Sequence, residues 1–272
     1  MPKTKIPLDA FTREPADVYH AARGGYLSSH SLSDFRRSPL QFFWRQSGLA
    51  PDDDRPAYLV GRAAHTRILE GREKFLAEYA IGGPINPTTG RPYGPATKMF
   101  AEWAAAQGKP VLTEDQVTLV ESIAAGVARS AVAADLLLHG QAEGVVRADY
   151  CGTPCQIRVD WVHPCRGIID LKTCEDLTWF ESDARRYGYH WQLAFYRSVS
   201  ALGTGLEPCD LPVHVIAVEK RAPYRCGVWR VGPETLAIAQ KENEFTIAEL
   251  LRCQASGVWP TRYEDVRELQ VI

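Results

Sequence analysis

Residues 155–173 read CQIRVDWVHPCRGIIDLKT, and the fold turns on how this stretch is interpreted. At a period of two, Cys155, Ile157, Val159 and Trp161 fall on one side and Gln156, Arg158, Asp160 and Val162 on the other. That is the pattern of a strand with an apolar and a polar face. Pro164 and Gly167 punctuate a short turn, and residues 168–172 resume as a second strand. On it Asp170 and Lys172 point the same way, about 7 Å apart, while Ile169 and Leu171 point the opposite way. Pairing the two strands as a hairpin brings Asp160 beside Asp170 on a shared face. Buried charge is costly unless it is paired or coordinates a metal. Two carboxylates with a backbone carbonyl between them offer the hard oxygen donors that Mg²⁺ or Mn²⁺ prefers. A lone D-x-K is commonly a salt bridge at a strand edge; the upstream Asp160 and the flanking apolar runs favour a site.

The rest of the chain sets bounds. Its 272 residues suffice for a substantial core, and 45% hydrophobic with 24% charged residues is an ordinary globular composition. A net charge of −2 excludes a globally basic coat, so any contact with nucleic acid has to come from a local lining. Candidates are Arg62 and Arg67 on one helical stretch, Arg158 on the polar strand face, and Arg185 and Arg186 in a polar segment. Lys220 and Arg221 belong to a basic loop with one aromatic, Tyr224, which suits a phosphate backbone as well as it suits a solvated turn. No apolar run approaches the ~20 residues of a membrane span and the N-terminus lacks a signal-peptide core, so a cytoplasmic location without membrane contact is expected. The seven cysteines match no zinc spacing and are expected as reduced thiols.

Asp160, nine intervening residues and then Asp170-Leu171-Lys172 resemble the core of the PD-(D/E)XK nucleases. The wording IRVDWV…GIIDLKT is especially similar to the phage and prophage RecE-type (exonuclease VIII) branch, which also resembles lambda exonuclease and the RecB nuclease domain. Val159 stands where the family name has Pro, at a position that carries no chemistry. The resemblance implies an α/β, restriction-endonuclease-like core, a central mixed sheet of about five strands flanked by helices. It implies Mg²⁺ as cofactor, with Mn²⁺ able to substitute, held by Asp160, Asp170 and the Leu171 carbonyl, and Lys172 orienting or deprotonating the attacking water. Three further residues follow from it. Gly61-x-x-x-His65-x-x-x-Leu69-Glu70 is similar to a RecE-type stretch whose His lies at the metal site. Glu143 matches an accessory acidic ligand at the start of the first core strand. Gln192-x-x-x-Tyr196 looks like the Q-x-x-x-Y element that borders the active site and contacts DNA, and Tyr189, Gln192 and Tyr196 share one helical face.

The implied activity is 5′-to-3′ digestion of double-stranded DNA ends in phage-type recombination. The implied partners are a single-strand annealing protein and a ring-shaped homo-oligomer. The iron–sulfur branch of the superfamily is disfavoured, since Cys253 alone lies near the C-terminus. Alternatives are a structure-specific or repair endonuclease of the same fold, a non-catalytic DNA-binding module, or a structural protein that binds no metal in the cleft.

Along the chain, residues 1–25 read as a flexible arm and 26–272 as a single nuclease domain. Short helices are expected from about Leu32, capped by Ser31 or Ser33, and from Pro39, with a solvated loop at 51–56. A helix follows from Tyr58, another covers 98–107, and a Thr113/Gln116 capping box opens a long one through about Leu138. Strand 145–151 leads into the hairpin. Beyond it come a helix at 189–199, strands at 211–220 and 226–231, and a last helix at 234–254.

Overall fold

Gly167 closes the turn of the central hairpin with φ +85°, and a Cβ there would stand 1.9 Å from the Pro212 carbonyl oxygen, so only glycine fits. The computed structural model describes residues 5–50 and 57–269. Its strands are β1 (Thr12–Arg13), β2 (Ala80–Ile81), β3 (Val111–Leu112), β4 (Gln141–Tyr150), β5 (Thr153–His163), β6 (Gly167–Cys174), β7 (Val213–Glu219) and β8 (Cys226–Arg230). The main sheet has six strands in the order β1-β4-β5-β6-β7-β8, and β2 and β3 form a separate parallel pair. Only the β6–β7 contact in the main sheet is parallel, with Asp170 opposite Val215 and Lys172 opposite Ala217. The fold is thus the expected mixed sheet flanked by helices, with one strand more than anticipated. That extra strand is β1, whose Thr12 pairs with Val145.

The N-terminal segment departs from the loose arm read in the sequence. From residue 5 onward it is packed: Ile6, Phe11 and Tyr19 are buried, and the Ile6 amide donates to the Pro164 carbonyl at 2.8 Å. Gly144 makes room for it, since a Cβ there would come within 2.9 Å of the Phe11 Cβ. Single apolar residues separated by charge and proline show no period, which is why the sequence hides this packing.

The helices are α1 (Ala16–Ala21), α2 (Ser29–Arg37), α3 (Pro39–Gln46), α4 (Ala57–His65), α5 (Arg72–Glu78), α6 (Lys98–Gln107), α7 (Glu114–Arg129), α8 (Ala131–Leu136), α9 (Phe180–Tyr187), α10 (Tyr189–Thr204) and α11 (Pro233–Ser256). Ser28, not Ser31 or Ser33, caps α2, and Ser38 caps α3 with Pro39 in its first turn. The Thr113/Gln116 capping box is present at the start of α7. The long helix expected through Leu138 is divided, because the Ser130 side chain leaves α7 to cap α8. The polar segment after the hairpin contains α9, a helix not anticipated. The loop expected at 51–56 lies outside the described residues.

One core lies between the sheet and α2, α10 and α11, and contains Phe35, Ile157, Val159, Ile168, Leu193 and Ile247. The opposite sheet face packs Ile169, Leu171 and Ile216 against Ile123 of α7 and Ala64 of α4. Strict alternation in β5 slips at Asp160. Val159 and Val162 both join the first core and Trp161 packs on the second, whereas a period of two puts Trp161 beside Val159. The cause is local: the β4–β5 ladder pairs Ala142 with Trp161 and Gly144 with Val159 but skips Glu143 and Asp160, and Glu143 has φ +55°. A non-glycine residue there is strained, and such strain concentrates at functional sites. No helix among the described residues is long and apolar enough to cross a membrane.

Candidate active site

The hairpin register sets Asp160 across from Asp170, one step beyond the Trp161–Ile169 pair. There the ladder opens, and the Asp160 Oδ2 accepts the Leu171 amide at 2.7 Å in place of a strand partner. Asp170 is 1% exposed, and its Oδ2 lies 2.7 Å from the Lys172 Nζ. Its Oδ1 is buried and has no hydrogen-bond partner among the described residues. Burial, opposed by Lys172 and reinforced by Asp160, pushes the Asp170 carboxyl from 3.8 up to about 6. Burial likewise raises Asp160, against the pull of Lys172 and the Leu171 amide. For Lys172 burial acts downward, but Asp170 and Asp160 outweigh it and keep the ammonium charged. Two carboxylates therefore share one ammonium, which also lies 4.9 Å from the centre of the Tyr189 ring.

His65 ends α4 just where that helix widens into a π turn at Thr66–Glu70, and its Nδ1 lies 3.6 Å from the Asp160 Oδ2. Such π turns are frequent at functional sites. Burial first and Lys172 second lower His65 to about 4, so the imidazole is neutral at pH 7 and keeps a lone pair for a metal. The Glu143 Oε2 lies 2.8 Å from the Arg158 Nε. Burial and the neighbouring Asp160 push its carboxyl up to about 8, against Arg158. Glu70 and Glu78 add negative potential to the same corner. On α10 the Gln192 Nε2 donates to the Tyr196 hydroxyl at 3.0 Å. Burial raises the Tyr196 hydroxyl, and Asp160 and Asp170 raise it further.

The geometry thus gathers Asp160, Asp170, Leu171, Lys172, His65, Glu143, Gln192 and Tyr196 from β4, β5, β6, α4 and α10. The donor set fits Mg²⁺ or Mn²⁺: carboxylate oxygens, one with an unpartnered buried Oδ1, a backbone carbonyl and a neutral imidazole. Among the described residues no three His, Cys, Asp or Glu side chains are drawn together closely enough to hold an ion; Lys172, Arg158 and the Leu171 amide engage the carboxylates.

The basic candidates separate. Arg158 is drawn into the site by Glu143. Arg67 faces α7, where its Nε and Nη2 lie 3.0 and 2.9 Å from the Glu121 Oε2. Lys220 pairs with Glu175 and Arg221 with Asp176 at 2.6 Å, while Arg225 contacts both Asp176 and Glu219. The expected basic loop is therefore largely neutralised by acids distant in sequence. Arg62 lies in electrostatic reach of His20. Arg185 and Arg186 lie on α9 with no ion pair among the described residues, Arg186 resting 5.6 Å from the Tyr187 ring centre. Sequence reasoning missed the N-terminal contributions: His30 feels the Lys172 charge, and His20 feels Arg23, Arg158 and Arg62. No local pattern marks them, because only the packing of α1 and α2 brings them to the cleft. Tyr189 was legible as a member of the Gln192/Tyr196 face, though not as a neighbour of Lys172.

The family described as a PDDEXK-like domain of unknown function (DUF3799) matches residues 28–270. Among solved structures, a candidate exonuclease from Eubacterium rectale superposes with a TM-score of 0.68 at 17% identity, covering 96% of this chain and 97% of that one. An alkaline exonuclease from Laribacter hongkongensis gives a TM-score of 0.35 at 14% identity, covering 89% and 99%, a likeness too weak to carry an argument. No curated protein matches the sequence.

Proposed function

The chain belongs to the PDDEXK-like family that matches it over residues 28–270, and from that premise we propose that it is a metal-dependent deoxyribonuclease that degrades duplex DNA from its ends. The observation that carries this reading is the Lys172 ammonium 2.7 Å from the buried Asp170, with Asp160 directly across the hairpin and the Asp170 Oδ1 left unpartnered. A sheet built only for stability has no use for that arrangement, since buried ion pairs rarely repay their desolvation.

In this reading Asp160, Asp170 and the Leu171 carbonyl hold Mg²⁺, or Mn²⁺ in its place, with His65 and Glu143 completing the donor set. The chemistry the ion supplies is an acidified water and charge relief at the scissile phosphate. The Lys172 ammonium, 2.7 Å from the Asp170 Oδ2, donates to the attacking water and orients it, and the water's proton passes to solvent rather than to the already protonated lysine. His65, neutral at pH 7, donates a lone pair without adding charge. Gln192 and Tyr196, hydrogen-bonded to each other at 3.0 Å, orient the strand against this centre. Arg185 and Arg186 contact phosphates from α9, with Arg62 on the opposite wall. The finer proposals are a 5′-to-3′ polarity, a role in recombination beside a single-strand annealing protein, a ring-shaped oligomer, a single nuclease domain and a cytoplasmic location.

The test is digestion of linear duplex DNA labelled separately at each end, with Mg²⁺, with EDTA, and with Lys172→Ala. Mg²⁺-dependent release that starts at an end and is lost in the variant is expected, and the order of label release sets the polarity. Cutting of closed circular DNA replaces the exonuclease with an endonuclease. Binding without cleavage in either Mg²⁺ or Mn²⁺ overturns the enzyme.

A further inference from the structure

Arg197 follows Tyr196 on α10, yet a step of one residue turns it about 100° around the helix and away from the carboxylates. Its side chain belongs to a residue only 6% exposed, with Nη2 donating to the neutral Gln240 Oε1 at 3.2 Å and Nε without any partner. No carboxylate forms an ion pair with it among the described residues, and none figures among the charges that act on it. A guanidinium cannot shed its proton to escape burial. A buried cation whose nearest partner is an amide is therefore left short of an anion.

The side chain lines a cavity of about 410 Å³ at the end of the sheet where β7 begins. Pro208, Pro212 and Val231 give it an apolar wall, backed by the buried Leu211, Val213 and Leu236, and the side chains of Arg230 and Glu207, both exposed, stand at its mouth. Arg230 has no ion pair among the described residues, so Arg197 and Arg230 against Glu207 leave the lining net positive. The volume lies within the range of small-molecule sites and far exceeds that of one inorganic ion. Val213 pairs with Ile168, and Lys172 pairs with Ala217 four residues further along, so the cavity opens about 13 Å up the strands from the catalytic lysine.

We propose that this cavity is a second ligand site, separate from the carboxylate centre, which binds a small organic oxyanion: a phosphate or carboxylate group on the Arg197 guanidinium and an apolar body against the Pro208, Pro212 and Val231 wall. The Nη donors not taken by Gln240 are the ones left to meet such a group. Gln240 holds the guanidinium in place, and it is in turn held by its donation to the Glu244 Oε1 at 2.9 Å.

The experiment is isothermal titration of the full chain in EDTA with phenyl phosphate, benzoate and inorganic phosphate, repeated on Arg197→Met, Arg197→Lys and Lys172→Ala. Wild type and Lys172→Ala bind phenyl phosphate, benzoate or both with equal affinity, and whichever binds identifies the oxyanion. Arg197→Met weakens that binding by roughly ten- to a hundredfold, the range for one charged hydrogen-bonding group. Arg197→Lys keeps the charge and falls between, which guards against a Met variant that fails to fold. Binding abolished by Lys172→Ala but unaffected at Arg197 assigns the anion to the carboxylate centre and overturns the proposal. So does the absence of saturable binding of either organic ion. Inorganic phosphate binding as tightly as phenyl phosphate overturns the role of the apolar wall. None of these readouts depends on DNA cleavage, so the proposal stands or falls apart from the nuclease reading.

Discussion

Asp170→Asn should stabilise the folded protein while Lys172→Met destabilises it, and the asymmetry follows from counting charges at the hairpin. Asp170 is 1% exposed and its carboxyl is pushed from 3.8 up to about 6, first by burial. The native state thus holds this proton more tightly than the unfolded chain. Asp170 contributes no penalty below pH 3.8; stability declines as pH rises through the window up to about 6, and the full penalty is present above it. A shift of about two units corresponds to about 3 kcal/mol at pH 7. The Asn side chain is nearly isosteric and removes that charge, while Lys172 keeps Asp160 as its counterion. That shift already nets burial and Asp160 against the attraction of Lys172, so the net stabilisation is about 2–3 kcal/mol. Lys172→Met instead leaves both carboxylates without their shared cation, for a loss of about 3 kcal/mol. Urea denaturation in EDTA at pH 7 and again at pH 4 measures both. The Asn advantage should shrink toward zero at pH 4, where the wild-type carboxyl is largely protonated. Loss of more than about 1 kcal/mol in Asp170→Asn, unchanged between the two pH values, would refute the reasoning and make the Asp170–Lys172 pair an ordinary structural bridge.

Four further substitutions have outcomes set by their surroundings. Gly167→Ala puts a Cβ within 1.9 Å of the Pro212 carbonyl oxygen at φ +85° and should cost at least about 3 kcal/mol in urea. Gly61→Ala meets only the Thr173 Oγ1, at 3.6 Å, and should be neutral or raise stability by up to about 1 kcal/mol through helix propensity. Arg67→Ala breaks the contact with Glu121 and should cost about 1 kcal/mol of stability without altering how DNA affinity varies with salt. Arg186→Ala should do the reverse, leaving stability within about 0.5 kcal/mol and lowering the salt slope by about one.

The sequence by itself determined the hairpin. Alternation in 155–159, the Pro and Gly of the turn and the apolar flanks of Asp170 are local signals, and each is read by a local rule. The Thr113/Gln116 capping box and the α10 face carrying Tyr189, Gln192 and Tyr196 were legible for the same reason, since cap and helix spacing depend on a few neighbouring residues. The resemblance then pointed to His65 and Glu143, residues that spacing within one element could not have joined to the hairpin.

Tertiary structure alone decided the rest. The slip at Asp160, which moves Trp161 to the second core, depends on the skipped Glu143 opposite it, a residue 17 positions earlier. The packing of residues from 5 onward depends on a gap left by Gly144. The fate of each arginine depended on acids far along the chain: Glu121 turns Arg67 toward α7, while Asp176 and Glu219 quench the loop that the sequence made basic. The physical reason is common to all three. Secondary structure is set by steric rules between near neighbours, whereas the charge left at any point on the surface is a sum over residues that meet only when the sheet and helices pack.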